Sequence, residues 1–322
     1  MRYVEVGGTR LSAIGLGTWQ FGSREWGYGS AYAEHDALDI VGRALDLGIN
    51  LLDTAEIYAF GRSERIVGRA IAGRRDEAFL ATKIFPLVPV GPVVEQRARG
   101  SARRLGVDHL DLYQVHQPNP VVPDRFTMDG MRKLLRSGLV RNVGVSNYSL
   151  ARWRGAESAL GGPVLSNQVR YSLVARQPEK ELLGWARDND RLVIAYSPLG
   201  QGFLSARYGA DQRPGGMRAT ASLFLPENLE RGEPLLAALR SIAKVHDATP
   251  AQVALAWVIR RPNVVAIPGA SSVAQVESNA AAADLELSDD EDARLTGASD
   301  AFNPISGPAA LPATARTLLR RS

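Results

Sequence analysis

The chain has 322 residues and a formal net charge of +4; 45% of its residues are hydrophobic and 22% are charged. This balance is typical of a globular protein with one large domain or two ordinary ones. No apolar run approaches the roughly 18 residues of a membrane-spanning helix. The chain has no cysteine, which excludes disulfides, cysteine-ligated metals and thiol catalysis.

Basic and acidic residues are interspersed along the chain, without a long run of either sign. Such interspersion is typical of solvated surfaces, so we expect neither nucleic acid nor a membrane as a partner. The first residues, Met1 to Gly8, lack the apolar core of a signal peptide, and the cytoplasm is therefore the expected location. The pattern predicts no particular oligomeric state.

In chain order, the first element is a β-hairpin over residues 1–13, predicted from two short segments that meet at Gly7 and Gly8. After the hairpin, apolar strands alternate with amphipathic helices. The predicted strands begin at Ile14, Ile49, Ala78, Leu110, Val140, Val164, Leu192 and Val264. The predicted helices cover residues 35–47, 63–72, 93–105, 126–137, 149–160, 179–188, 235–246, 250–260 and 273–282.

Eight strands, each followed by a helix, predict an α/β protein with a (β/α)8 TIM-barrel fold. We expect residues 1–322 to form one barrel domain with a long loop at 197–234 and a C-terminal tail at 300–322. A doubly wound sheet is the alternative. That fold usually has a Gly-x-Gly-x-x-Gly turn after its first strand, whereas Gly15-Leu-Gly17 continues here as Thr-Trp-Gln.

In a barrel, the carboxyl ends of the strands meet at one face, where ligands and chemistry collect. Three consecutive strands end at Asp53, Lys83 and His116, and Tyr58 lies in the loop after Asp53. The later strands deliver Ser146, Asn147, Gln168 and Tyr196. An acid, a phenol, an ammonium and an imidazole brought together predict a proton-transfer site.

Tyr58 is the centre of this predicted site. A free phenol has a pKa of about 10, which makes it a slow proton donor at neutral pH. A lysine about 4 Å away would stabilise the phenolate by up to ~4 kcal/mol at an effective dielectric of about 20, and would so lower that pKa. We expect Lys83 to act in this way, with Asp53 keeping the buried lysine charged. His116 can hydrogen-bond to a carbonyl oxygen beside the phenol.

At this point the motifs resemble those of a known family, the aldo-keto reductases, which are NADPH-dependent carbonyl reductases built on a (β/α)8 barrel. The segments that carry the resemblance are Gly15-Leu-Gly-Thr-Trp-Gln20, Leu52-Asp-Thr-Ala-Glu-Ile-Tyr58, Gly61-Arg-Ser-Glu64, Ala81-Thr-Lys83, Leu112-Tyr-Gln-Val-His116, Gly144-Val-Ser-Asn-Tyr148, Asn167-Gln168, Ala195-Tyr-Ser-Pro-Leu-Gly200 and Ile267-Pro-Gly-Ala270. They run in order from the hairpin to about residue 290.

The resemblance implies a role for each matching residue. Tyr58 is the general acid, Lys83 and Asp53 tune it, and His116 orients the substrate carbonyl. The residues implied for NADPH or NADP+ are Trp19, Ser146, Asn147, Gln168, Tyr196, Ser197, Leu199, Gln201, Gly202, Gly269, Ser271, Gln275 and Asn279. Within that set, Ser146, Asn147 and Gln168 hold the nicotinamide carboxamide, and Tyr196 stacks on the ring. The substrate pocket is expected to be aromatic and to include Trp26, Tyr58 and His116. No metal is expected.

Four positions depart from the pattern of the family. Many members have Arg or Lys just after Pro-Gly-Ala to bind the 2′-phosphate, where this chain has Ser271 and Ser272. Many also have Glu beside the final Asn, where this chain has Ser278. Gln117 replaces an aromatic residue that often follows the histidine. We therefore expect only a modest preference for NADPH over NADH.

Two other functions are compatible with these motifs. Potassium-channel β subunits share the fold and the same four residues while acting mainly as cofactor-sensing partners, so a nicotinamide-binding regulatory subunit is the alternative to an enzyme. A barrel lyase or isomerase that uses no nicotinamide is the third possibility. The sequence does not specify a substrate.

Overall fold

The computed structural model describes residues 1–24, 27–29, 32–209, 214–215 and 221–310. The strands are β1 (Tyr3–Val6), β2 (Thr9–Ser12), β3 (Leu16–Gly17), β4 (Leu51–Asp53), β5 (Phe79–Ile84), β6 (Leu110–Val115), β7 (Val140–Ser146), β8 (Ser166–Arg170), β9 (Leu192–Tyr196) and β10 (Val264–Ala266). The helices are α1 (Glu34–Asp46), α2 (Arg62–Ala70), α3 (Gly91–Leu105), α4 (Asp124–Arg136), α5 (Leu150–Leu160), α6 (Leu182–Asp188), α7 (Pro226–Val245), α8 (Pro250–Ile259), α9 (Val273–Ala281) and α10 (Asp289–Ala301). None of these helices is both long and apolar enough to cross a membrane.

Strands β3 to β10 form one parallel sheet in which each strand pairs with the next along the chain. Parallel bridges from Ile14 to Ala266 and from Gly17 to Gly269 join the first strand of this sheet to the last. The amide of Gly15 donates to the carbonyl oxygen of Ala266 at 2.7 Å. These contacts close the sheet into a barrel, which confirms the predicted fold.

The hydrophobic core has two layers. The outer layer lies between the sheet and the helices and includes the fully buried Trp153 and Trp257. The inner layer fills the barrel with Val6, Leu11, Leu51, Ala81, Leu112, Leu165, Leu192, Ile194, Val265 and Ile267. Since Val6 and Leu11 come from β1 and β2, the predicted hairpin is confirmed, and it plugs the barrel at the amino ends of the strands.

The C-terminal third departs most from the prediction. Helix α7 begins at Pro226, whereas the sequence suggested residue 235. Proline is tolerated in a first helical turn because its missing N–H would have no partner there, and the buried Leu229 faces the core. Helix α10 was not predicted, although Ser288 and Glu291 form a capping box readable in the sequence. Residues 311–322 of the predicted tail lie outside the described part of the chain.

Candidate active site

The loop after β4 places Tyr58 over the carboxyl end of the barrel. Asp53 ends the strand and is buried, and Tyr58 begins a kinked, irregular turn that runs to Gly61. Ala59 and Phe60 in this turn have φ values of 46° and 54°, which residues other than glycine rarely adopt. Such strain persists only where the surroundings fix the backbone. In this loop, buried side-chain hydroxyls fix it.

The contact that fixes the loop is a buried group of hydroxyls. The Oγ of Ser63 lies 2.8 Å from Thr18 Oγ1 and 3.0 Å from Thr54 Oγ1. Thr18 Oγ1 in turn donates to the carbonyl oxygen of Asp53 at 2.9 Å. The start of helix α2 is thereby joined to the strand end that carries the acid.

Lys83, on β5, connects the acid to the phenol. Its ammonium Nζ lies 2.6 Å from Asp53 Oδ1 and 3.4 Å from the Tyr58 hydroxyl, and it donates to the Thr54 carbonyl at 3.0 Å. Both charged side chains are buried, at 0% and 2% exposure. The three donors of the ammonium all have partners, so this lysine is held in one position. The structure thus brings together Asp53, Tyr58 and Lys83 as the sequence predicted.

The second oxygen of Asp53 has a partner that the sequence did not suggest. Gln168 Nε2, on β8, donates to Asp53 Oδ2 at 2.8 Å. The residue implied for the nicotinamide therefore also orients the carboxylate across the barrel. The sequence gives no sign of this hydrogen bond, because 115 residues separate the two positions.

The expectation that Lys83 lowers the pKa of Tyr58 is wrong for this structure. Burial raises the pKa of Tyr58 well above its ordinary value, and the charges of Asp53 and Tyr196 raise it further. Asp53 lies against Lys83 and opposes its field at the phenol. Burial lowers the pKa of Lys83, while Asp53 opposes that shift. The phenol is therefore protonated at neutral pH, which is the form that a proton donor requires.

His116 lies beside the phenol as a neutral imidazole. Burial, together with the charge of Lys83, lowers the pKa of His116 to about 3. Its ring centroid is 5.7 Å from that of Tyr58, at an interplanar angle of 77°. Within the described chain, its buried Nδ1 has no hydrogen-bond partner. A neutral ring with one N–H can donate to a carbonyl oxygen without adding charge to the site.

A second cluster joins the ends of β7, β8 and β9. Asn147 has a left-handed φ of 60°, and its Nδ2 donates to the His116 carbonyl at 3.3 Å. Tyr196 donates its hydroxyl proton to Asn147 Oδ1 at 2.9 Å, and Ser146 Oγ donates to the Gln168 carbonyl at 2.8 Å. The structure brings these predicted residues together next to the proton-transfer residues.

Beyond β9 the backbone bends sharply. Ser197, Gln201 and Gly202 have φ values of 50°, 59° and 101°. Leu199 lies in the same turn and is half-buried. These residues, which the resemblance implies for NADPH binding, form one continuous irregular segment of backbone at the rim.

The amino end of α9 forms the third cluster. Ser272 Oγ accepts from the Gln275 amide at 3.3 Å, and the Ser271 amide donates to Gln275 Oε1 at 2.9 Å. Asn279 reaches the Gly269 carbonyl at 3.5 Å. Both serines at the position that departs from the family pattern are therefore used in capping the helix.

Gln20 also belongs to this region, although the sequence did not suggest a role for it. Its Nε2 donates to the Ala270 carbonyl at 2.6 Å. Gly269 is exposed beside it, and a Cβ there would lie only 2.7 Å from Gln20 Oε1. Gln20 ends the first segment that carries the family resemblance, and that position was the available signal.

Aromatic side chains flank the proton-transfer residues on two sides. The Trp19 ring lies 5.3 Å from that of Tyr58 and is 56% exposed. The Phe85 ring lies 6.4 Å from that of His116, nearly perpendicular to it. Phe85 was missed, although it directly follows strand β5, two residues after Lys83. Trp26, the other predicted pocket residue, lies outside the described residues.

A groove of about 670 Å³ lies elsewhere, between α2 and α3 on the outer layer. The arginines that line it are Arg65, Arg69, Arg75, Arg103 and Arg104. Three of these already form ion pairs, with Glu34, Asp111 and Glu64. Arg65 and Arg103 complete the basic lining, and none of the residues that line the groove belongs to the site.

Comparison with known proteins gives a consistent result. The family model described as "Aldo/keto reductase family" matches residues 13–300. An uncharacterized oxidoreductase of Mycobacterium tuberculosis is 58% identical over 95% of both chains. A methylglyoxal reductase of Escherichia coli is 34% identical, over 90% of this chain and 91% of that protein.

Solved structures match as well. The crystal structure of an aldo-keto reductase from Klebsiella pneumoniae in complex with NADPH is 33% identical, with a TM-score of 0.74, and covers 91% of this chain and 93% of its own. A glycerol dehydrogenase from Gluconobacter oxydans is 28% identical, with a TM-score of 0.85, and covers 94% of this chain and 97% of its own.

Proposed function

Because the chain belongs to the aldo/keto reductase family, we propose that it is an NADP-dependent carbonyl reductase in which Tyr58 protonates the substrate oxygen. The observation that carries this proposal is the position of Lys83 Nζ, buried between Asp53 at 2.6 Å and the Tyr58 hydroxyl at 3.4 Å. An aldehyde or ketone is the proposed substrate class. A cytoplasmic location and the single-domain organisation stay predictions.

The residues at the barrel face fit a nicotinamide dinucleotide. Tyr196 presents a partly exposed ring, and the exposed Gly269 leaves the backbone of its turn accessible where any side chain would meet Gln20. We assign the nicotinamide end to Ser146, Asn147, Gln168 and Tyr196, and the adenosine end to Gly269, Ser271, Gln275 and Asn279. When bound, NADPH supplies the hydride that reduces the carbonyl carbon.

Tyr58 completes the reduction by protonating the oxygen. Once the carbonyl carbon has accepted the hydride, the oxygen carries a negative charge and is a far stronger base than a phenolate. Tyr58 gives its proton to this oxygen, and Lys83 stabilises the phenolate that remains. At 3.4 Å and an effective dielectric of about 20, this attraction alone is worth about 5 kcal/mol, and the opposing charge of Asp53 reduces its net effect at the phenol. Tyr58 is only partly buried, so water can return the proton.

His116 holds the carbonyl oxygen beside the phenol. Because the lowered pKa keeps its ring neutral, it orients the oxygen by hydrogen bonding and does not compete with Tyr58 as the acid. Its position follows from the backbone, since the His116 amide donates to the Ile84 carbonyl at 2.9 Å. Substrate orientation and proton delivery are thereby assigned to the ends of β6 and β4, with Lys83 on β5 between them.

The test is to measure NADPH consumption by the purified protein over a panel of aldehydes and to repeat it with Tyr58→Phe. We expect the variant to bind NADPH normally and kcat to fall by about 10²- to 10⁴-fold, the usual contribution of a positioned acid. Tyr3→Phe is the matched control, because it removes a hydroxyl bonded to Gly48 far from the site. Absence of NADPH consumption by the parent would refute the function. A parental rate in Tyr58→Phe would refute the role of Tyr58.

A further inference from the structure

An ion pair joins the loop that carries Tyr58 to helix α3. Glu56 lies in the loop between Asp53 and Tyr58, and Arg97 lies on α3. The Nε of Arg97 donates to Glu56 Oε2 at 2.9 Å, and its Nη2 lies 2.5 Å from Oε1. This is a bidentate pair, with the carboxylate 10% and the guanidinium 26% exposed.

The same pair holds both backbone polar groups of Phe85. The Phe85 amide donates to Glu56 Oε1 at 2.6 Å, and Arg97 Nη1 donates to the Phe85 carbonyl at 2.7 Å. Burial raises the pKa of Glu56, while the bonds from Arg97 and Phe85 oppose that shift. A buried carboxylate placed here is costly, so its two partners are what keep it charged.

The segment after Phe85, residues 86–89, is held by hydrogen bonds from side chains elsewhere in the chain. Asn119 Nδ2 donates to the Pro86 carbonyl at 2.7 Å, and Thr127 Oγ1 donates to the Pro89 carbonyl at 2.8 Å. Val88 has a φ of 49°, which a β-branched residue adopts only where its neighbours fix the backbone. The loop is therefore a fixed wall of the site.

Phe85 is the side chain that this wall presents. Its ring stands edge-on to His116 and is 37% exposed, and Trp19 borders Tyr58 from the other side. The other large apolar side chains exposed on these loops are Ile57, Phe60, Leu87 and Val88. A carbonyl placed at Tyr58 and His116 would thus have aromatic surfaces on both sides.

We infer that the Glu56–Arg97 pair is a positioning device that fixes Phe85 against His116 and thereby favours carbonyl substrates with a flat apolar group beside the carbonyl. The inference rests on the proposed function and specifies its substrate class. Neither residue of the pair touches the reacting atoms; they act through the backbone of Phe85. Small carbonyl compounds without such a group do not use this wall.

The experiment compares 4-nitrobenzaldehyde with methylglyoxal as substrates, using NADPH, for Glu56→Gln, Arg97→Met and Phe85→Leu. We expect KM for the aromatic aldehyde to rise by about three- to ten-fold in each, the contribution of an aromatic contact. The KM for methylglyoxal should rise by a smaller factor than the KM for the aromatic aldehyde, so the ratio of the two KM values is the quantity that tests the inference. Arg99→Met, an exposed arginine on the same helix, is the matched control.

The outcomes separate the inference from the function on which it rests. Equal losses for both aldehydes in the pair variants would show a merely structural role and overturn the inference, while the parent would still be a reductase. Phe85→Leu leaves the ion pair intact, so unchanged kinetics in that variant overturn the inference even if the pair variants unfold. A parent that consumes NADPH with neither aldehyde, nor with the wider panel, refutes the function and the inference together.

Discussion

Replacing Lys83 by methionine should damage both stability and activity. The substitution keeps most of the side-chain volume but leaves Asp53, 2% exposed, with Gln168 as its remaining side-chain partner. Removing one partner of a buried ion pair costs about 3–5 kcal/mol. With an unfolding entropy of about 2.1 cal/mol/K per residue, a chain of this length should lose about 4–7 °C in Tm.

Activity should fall in the same variant for a separate reason. Without the ammonium, the phenolate that Tyr58 leaves after donating its proton loses its bond to Lys83, so we expect kcat to fall by at least 10²-fold. Lys133→Met is the control, because Lys133 is 49% exposed and its ion pairs are on the surface. That change should alter the free energy of unfolding by no more than about 1 kcal/mol.

A second substitution separates the two effects. Adding Asp53→Asn to Lys83→Met removes the uncompensated charge, so most of the lost stability should return while activity stays low. Thermal unfolding and NADPH-coupled rates measure both. A Lys83→Met protein with the parental Tm, or a double variant with no recovery, would refute the argument that a buried ion pair holds this site.

Two further predictions concern pH and the cofactor. His116 is neutral in the folded chain down to a pKa of about 3, whereas unfolded histidine has a pKa of about 6.5. Between these values the unfolded state binds the extra proton, so stability relative to His116→Gln should fall by about 1.4 kcal/mol per pH unit on acidification, measured by urea unfolding at pH 7.5 and 5.0. A pH-independent difference would contradict this. Ser271 and Ser272 provide no cation for a 2′-phosphate, so the preference for NADPH over NADH should be modest. Fluorescence titration should show NADPH bound only about ten- to a few hundred-fold more tightly than NADH, or roughly 1.4–3 kcal/mol. Equal affinities would refute the assignment of the phosphate to this helix end.

The order of strands and helices could be predicted from the sequence because its signals are local. An apolar run such as Leu192–Tyr196 records that a strand is buried on both faces, and eight such runs leave few architectures. Once a barrel is assumed, the positions of Asp53, Lys83 and His116 at strand ends require that they meet. The helical segments that were missed lie where proline or polar residues mask a helix: α7 continues through Pro234, and α10 begins in polar sequence after Ser288.

Tertiary structure alone decided how these groups affect one another. Gln168 bonds Asp53, and Arg97 bonds Glu56, across separations of 115 and 41 residues that no local pattern records. The direction of the Tyr58 pKa shift likewise depends on a sum of burial and opposing charges. Spacing in the sequence indicates which groups approach, but the balance between desolvation and attraction depends on distances and exposure that exist only after the chain has packed.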